Sequence, residues 1–124
     1  MDAMQEIIRS YFQCWLDNNI DVVKEIFAED IVYSECYGPV YHGINQILRW
    51  FTDWHEKGTV LKWDIKEIIQ VDNTVIVEWF FQCNYDAAVD EFDGVTIAKF
   101  NDDMKICNLK EFQSKAEHCY PYED

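Results

Sequence analysis

Through the first 57 residues apolar side chains recur at intervals of three and four, with one strand-like interruption, and beyond Gly58 they recur at intervals of two. A chain divided this way builds helices first and a sheet afterwards, and each must bury its apolar face against the other. Residues 2–18 place Met4, Ile7, Ile8, Tyr11, Phe12, Trp15 and Leu16 on one helical face, and Asn18-Asn19 offers a stop. Asp21 is positioned to cap a short second helix whose inward side is Val22, Val23, Ile26 and Phe27. Residues 31–37 read as a strand closed by Gly38-Pro39. Residues 44–57 form a third helix with Ile44, Ile47, Leu48, Phe51 and Trp54 inward, and Gly58 suits its C-terminal cap.

The second half is read as four strands. Residues 59–71 alternate at Leu61, Trp63 and Ile65, and Asp72-Asn73 turns the chain into a strand at 74–85. Strands at 92–100 and 105–114 follow, joined by a turn at 101–104. The 74–85 segment has two unlike faces. Val75, Val77, Trp79, Phe81 and Cys83 are assigned to the interior, whereas Ile76, Glu78, Phe80, Gln82 and Asn84 form a face too apolar to be wholly solvated. That second face predicts a homodimer through the outside of the sheet. The expected fold is α+β: one domain over residues 1–124, three N-terminal helices packed in a strongly curved, mostly antiparallel sheet.

Composition narrows the function. Five Trp, seven Tyr and eight Phe among 124 residues are too many for a disordered chain. No run approaches the roughly 18 apolar residues of a membrane span, and MDAMQEIIRS lacks a basic, apolar signal pattern, so the expected location is cytoplasmic. Ten basic against 24 acidic residues give a net charge of −14. Nucleic acid and anionic membranes are therefore not expected partners, and the field favours neutral or cationic ligands. Five widely spaced cysteines without a C-x-x-C read as reduced and mostly buried. His42, His55 and His118 have no metal-ligand spacing, and no phosphate loop, dinucleotide fingerprint or G-x-S-x-G is present, so neither metal nor cofactor is expected. Of the three, His42 lies before the helix-opening Gly43, where it could approach a pocket mouth.

Phe27-Ala28-Glu29-Asp30 leading into a strand, then Gly38-Pro39-Val40-Tyr41-His42-Gly43, then Phe92-Asp93-Gly94-Val95 and Leu109-Lys110-Glu111-Phe112, together resemble the SnoaL-like branch of the nuclear-transport-factor-2-like superfamily. The resemblance spans nearly the whole chain and implies a cone, in which a curved sheet wraps helices around a deep apolar pocket, commonly in a homodimer. It implies no single reaction, because the fold hosts isomerases, cyclases, dehydratases, epoxide hydrolases and silent binders. Tyr11 falls where ketosteroid-isomerase-like members place an oxyanion-stabilising tyrosine, and Glu35 where they place the carboxylate base. The protonated acid of such sites aligns with Thr96, a departure from the pattern. In epoxide-hydrolase-like members the matching pair on the first strand is Tyr33 and Glu35, and the last-strand carboxylate is Glu111. The charged pair of their third strand is replaced by Trp79 and Phe81.

By the two-residue period Tyr33 and Glu35 share a strand face, opposite Ser34 and Cys36. If that face is interior, desolvation raises the Glu35 pKa and poises it as a general base or acid, while a tyrosine hydroxyl serves a developing enolate. The structural alternative is a Glu35 bonded internally to satisfy a buried polar group. Glu111, in step with Leu109, is a second candidate acid; its alternative is a surface glutamate paired with a lysine. Trp15, Trp50, Trp54, Trp63 and Trp79 are candidate pocket-lining residues for a flat aromatic ligand. Trp15, Trp50, Trp54 and Trp79 are candidate ligand contacts with Tyr33, Phe81, Thr96 and Leu109, Trp54 and Trp79 being the expected cavity walls. The bland reading of the tryptophans is core. Two classes of function follow: a cofactor-independent enzyme doing proton-transfer chemistry on a small apolar or aromatic carbonyl compound, or a non-catalytic binding or interaction module.

Overall fold

The computed structural model describes residues 2–122. Helix α1 (Ala3–Asp17) opens on Asp2, whose carboxylate accepts the Met4 backbone N–H at 2.8 Å, and closes on Asn18 in the left-handed region. Helix α2 (Ile20–Ile26) is capped by Asn19, whose side chain accepts from the Asp21 N–H. The cap is thus two residues earlier than Asp21. Phe27 is already extended and begins β1 (Phe27–Ser34), so the apolar run that closes α2 by helical period passes into the strand.

Strand β1 ends at Ser34 rather than at residue 37. The loop after it returns as β2 (Val40–His42), a three-residue strand with too few positions to show a period, registered through Tyr33 opposite Tyr41. Helix α3 (Ile44–Lys57) follows Gly43, whose φ of +86° only glycine adopts without strain. Gly58 is the C-cap of α3, its N–H donating to the Trp54 carbonyl, and in an extended conformation (φ −126°) it opens β3 (Gly58–Val71). Its role is space: a Cβ there would lie 2.8 Å from Tyr85 and 2.9 Å from Trp54.

Strands β4 (Thr74–Tyr85), β5 (Ala88–Phe100) and β6 (Ile106–Lys115) complete a six-stranded sheet of order β2-β1-β6-β5-β4-β3. All pairings are antiparallel except β1 with β6. Asp86 and Ala87 both have positive φ (52° and 68°), which makes a tight primed turn and starts β5 four residues before the expected position. Extra residues in β3 at Leu61 and Lys66 bend the sheet. The first puts both Val60 and Trp63 inside and leaves Leu61 45% exposed, against the simple alternation. A similar extra residue at Cys107 brings Ile106 to the side of Leu109.

The helices fill the concavity of this curved sheet, as expected for an α+β cone. Val75, Val77, Trp79, Phe81 and Cys83 are buried, and Ile76, Phe80, Gln82 and Asn84 on the opposite face are half-buried. Of the five free cysteines only Cys14 and Cys83 are buried; Cys119 lies in the exposed C-terminal segment. Among the described residues no helix is long and apolar enough to cross a membrane.

Candidate active site

Three elements converge at the closed end of the cone. α1 presents Tyr11, β1 presents Tyr33 and the last strand presents Glu111. The two tyrosine hydroxyls are 2.6 Å apart, and the Tyr33 hydroxyl donates to Glu111 Oε2 at 2.8 Å. Tyr33 has one proton to give, so when it donates to Glu111 the Tyr11 hydroxyl must donate to Tyr33. A protonated Glu111 can reverse the order, donating to Tyr33, which then donates to Tyr11. The three groups therefore form a hydrogen-bond chain with two possible donor orders. Both tyrosines are fully buried and Glu111 is 8% exposed. Burial pushes the Glu111 pKa up to about 8, the Tyr33 hydrogen bond pulling the other way and the charge of Glu35 adding to the rise. Burial, then the Glu111 charge, raises both tyrosines as well.

The alternation that pairs Glu111 with Leu109 holds, so Glu111 faces inward with no lysine partner and the surface position is excluded. Its carboxyl borders a small cavity of about 40 Å³, room for roughly three water molecules. Trp15, Trp50, Trp54, Trp63 and Trp79 surround it, with Tyr33, Phe81 and Phe92. Trp15 meets Trp50 and Trp54 at centroid separations of 4.9 and 5.4 Å, and Trp63 meets Trp79 edge-on at 5.6 Å. The indole N–H groups of Trp15 and Trp63 are buried without a hydrogen-bond partner, two donors left over in the wall. Trp79 by contrast donates to Thr96 Oγ1 at 2.8 Å. It also lies against Gly94, where a Cβ would fall 2.2 Å from the indole.

Glu35 stands at the mouth. With β1 finished at Ser34, the strand period no longer governs residues 35–37, and Glu35, Cys36 and Tyr37 all reach the same space. The loop is tied by the Glu35 N–H to the Pro39 carbonyl (2.9 Å) and the Gly38 N–H to the Glu35 carbonyl (3.0 Å). Partial burial lifts the Glu35 pKa to about 7, and the Tyr37 backbone N–H offsets some of that rise. Outside it opens a vestibule of about 400 Å³, which shares Glu35, Tyr37, Trp50 and Trp54 with the inner cavity and adds Tyr85 and Asp90.

The structure thus brings Glu35, Glu111, Tyr33, Trp15, Trp50, Trp54, Trp79 and Phe81 to one cavity, and leaves three predicted residues behind it. Tyr11 is screened by Tyr33 and meets its hydroxyl, so it has no line to a ligand. Thr96 is fully buried and occupied by Trp79; Leu109 is fully buried in the core. His42 is exposed and absent from the cavity wall; its backbone N–H donates to Gln46. His55 joins the Phe51 and Trp15 carbonyls and so couples α3 to α1. Trp63, named with the other tryptophans as a candidate pocket wall, lines the cavity, whereas sequence reasoning missed Cys36, Tyr37 and Phe92. Of these Phe92 carried a readable signal, the strand parity it shares with Thr96.

Three helices in the concavity of a six-stranded sheet, closed around an aromatic cavity, define a cone of the nuclear-transport-factor-2-like class. Residues 8–109 match the SnoaL-like domain, and the chain belongs to that family. A comparison with curated proteins gave no match. Among solved structures, a hypothetical protein of ketosteroid-isomerase-like fold from Catenulispora acidiphila, in complex with trimethylamine, is 16% identical with a TM-score of 0.78, over 90% of this chain and 86% of that one. A Shewanella denitrificans protein with the provisional name SnoaL-like polyketide cyclase is 14% identical with a TM-score of 0.78, over 92% of each chain. An M. tuberculosis LEH-like epoxide hydrolase is 12% identical with a TM-score of 0.79, over 88% of this chain and 80% of that one. At these identities the likeness establishes the fold alone.

Proposed function

We propose that the protein is a cofactor-independent enzyme that moves a proton on a small carbonyl compound, in an isomerisation, cyclisation or dehydration. The observation that carries this reading is the pair of unlike carboxyls on one aromatic cavity. Glu35, at the mouth and raised to about 7, is poised to exchange a proton near neutral pH. Glu111, raised to about 8, is held protonated there and can donate to an oxygen on which charge develops. Glu35 would take the proton beside the carbonyl, and Glu111, backed by Tyr33 and Tyr11, would stabilise the enolate. The donor expected of Tyr11 passes to Glu111, and the protonated acid sits on the last strand, not at Thr96.

Proton–deuterium exchange beside the carbonyl of small ketones and aryl ketones, followed by NMR, tests the reading. Glu35→Gln should slow exchange by a factor of about 10² or more with ketone affinity nearly unchanged. Full activity in that variant would remove Glu35 from the role. A second reading is favoured by the inner volume of only about 40 Å³: a non-catalytic binding module, in which ketones bind and no exchange is catalysed.

The outer sheet face supports a homodimer as part of either reading. Ile76 lies beside Ile97, and Val95 beside Phe112, whose side chain is 54% exposed. Sedimentation should give a dimer that Phe112→Glu shifts to monomer; a wild-type monomer at all concentrations would discard it.

A further inference from the structure

Neither the inner cavity nor the vestibule has a lysine, arginine or histidine in its wall among the described residues, and every ionisable side chain of charge in them is acidic: Glu35, Glu111 and Asp90. In the vestibule wall Glu35 and Asp90 stand among aromatic rings, Tyr37, Trp50, Trp54 and Tyr85. Trp54 and Tyr85 stand 5.5 Å apart, and Tyr41 stacks on Trp50 at 4.7 Å and so fixes that indole. Aromatic faces attract cations through the ring quadrupole, most strongly when the cation is poorly hydrated. Deeper in, Glu111 adds a second acidic side chain to the inner cavity, its Oε2 accepting from Tyr33. The chain's net charge of −14 adds a long-range field of the same sign.

We propose that the vestibule binds a small organic cation, an alkylammonium group, with its charge against Glu35 and its methyl or methylene groups against Trp50, Trp54 and Tyr37. This deepens the reading above, on which it rests for the cavity's being a ligand site, and gives the ligand an amine as well as the carbonyl. It requires Glu35 ionised, so binding is coupled to loss of its proton. The titratable groups facing the site are Glu35, Glu111, Asp90, Tyr37, Tyr85, Cys36 and Cys83. Burial pushes the Cys36 thiol up to about 12 and raises Cys83 and Tyr37, which keeps these groups neutral at working pH. The change near pH 7 belongs to Glu35, and that near pH 8 to Glu111.

The test is a calorimetric and tryptophan-fluorescence titration with tetramethylammonium, with tert-butanol as the neutral molecule of like size, and with a small ketone. Tetramethylammonium should bind at least about tenfold more tightly than tert-butanol at pH 8, and should weaken by up to about tenfold per pH unit below 7. Glu35→Gln should lose about tenfold for the cation, remove the dependence centred near 7 and leave tert-butanol unaffected. The pH series on the unaltered chain gives the answer without a variant. Equal binding of cation and alcohol, or cation binding indifferent to both pH and Glu35, overturns the proposal. Ketone binding without cation binding overturns it alone; binding of neither overturns the ligand-site reading too.

Discussion

The two carboxyls of the cavity reach similar protonation behaviour by different construction. Glu111 sits within a strand paired on both sides, is bonded by Tyr33 and is closed off by five indoles. Its environment is set by the sheet, and almost nothing about it can move without breaking ladder hydrogen bonds. Glu35 sits one residue past the end of β1, in a loop held by two backbone hydrogen bonds, with solvent on one side. The comparison separates two jobs that burial does in one molecule. At the closed end it keeps an acid neutral and immobile; at the mouth it leaves an acid near the midpoint of its titration, where a ligand's charge can decide its state.

The largest test of that contrast is the pH dependence of stability in Glu111→Gln. The Glu111 pKa rises from an ordinary 4.5 to about 8 on folding. Between those values the folded chain keeps a proton that the unfolded chain releases, so stability must fall as pH rises through the window and level off above it. The size of the shift corresponds to roughly 5 kcal/mol. Glutamine has no proton to lose and still accepts from Tyr33. In denaturant unfolding, Glu111→Gln should match the wild type within about 1 kcal/mol at pH 4.5 and exceed it by several kcal/mol at pH 9. Parallel curves for the two proteins would mean that Glu111 is not held neutral.

The parts of this site that were legible in the sequence are those on regular strands and helices. The parity of Trp79 and Phe81 in β4 reads directly as an interior wall, and the step from Leu109 to Glu111 puts the acid inside. Helical spacing likewise places Trp15 and Trp54 inward. What could not be read depends on where the period stops. Nothing in the sequence marks Ser34 as the last residue of β1, so Cys36 is assigned to the wrong face and Tyr37 to none. Leu61 and Trp63 look equivalent until an extra residue turns one of them outward. Tyr11 shows a subtler limit. Helical spacing gives its direction but not its depth, and depth decides whether its hydroxyl meets a ligand or, as here, meets Tyr33 first.

A smaller effect sharpens the comparison from the other side. The Glu35 pKa also rises on folding, from 4.5 to about 7, so it too lowers stability as pH increases, over a window that opens at the same pH as that of Glu111 and closes sooner. Because the side chain is half-exposed, solvent screens much of this, leaving about 1 kcal/mol. Glu35→Gln should therefore remove a shallow decline between pH 4.5 and 7 and keep the steep one that Glu111 causes. It should also move the Glu111 window to lower pH, since the Glu35 charge is one of the causes of that rise. Unfolding free energies at half-unit pH steps for the wild type and both variants separate the windows. If Glu35→Gln flattened the whole curve as Glu111→Gln does, the two acids would titrate as one unit, and the division between a fixed interior acid and a responsive mouth acid would fail.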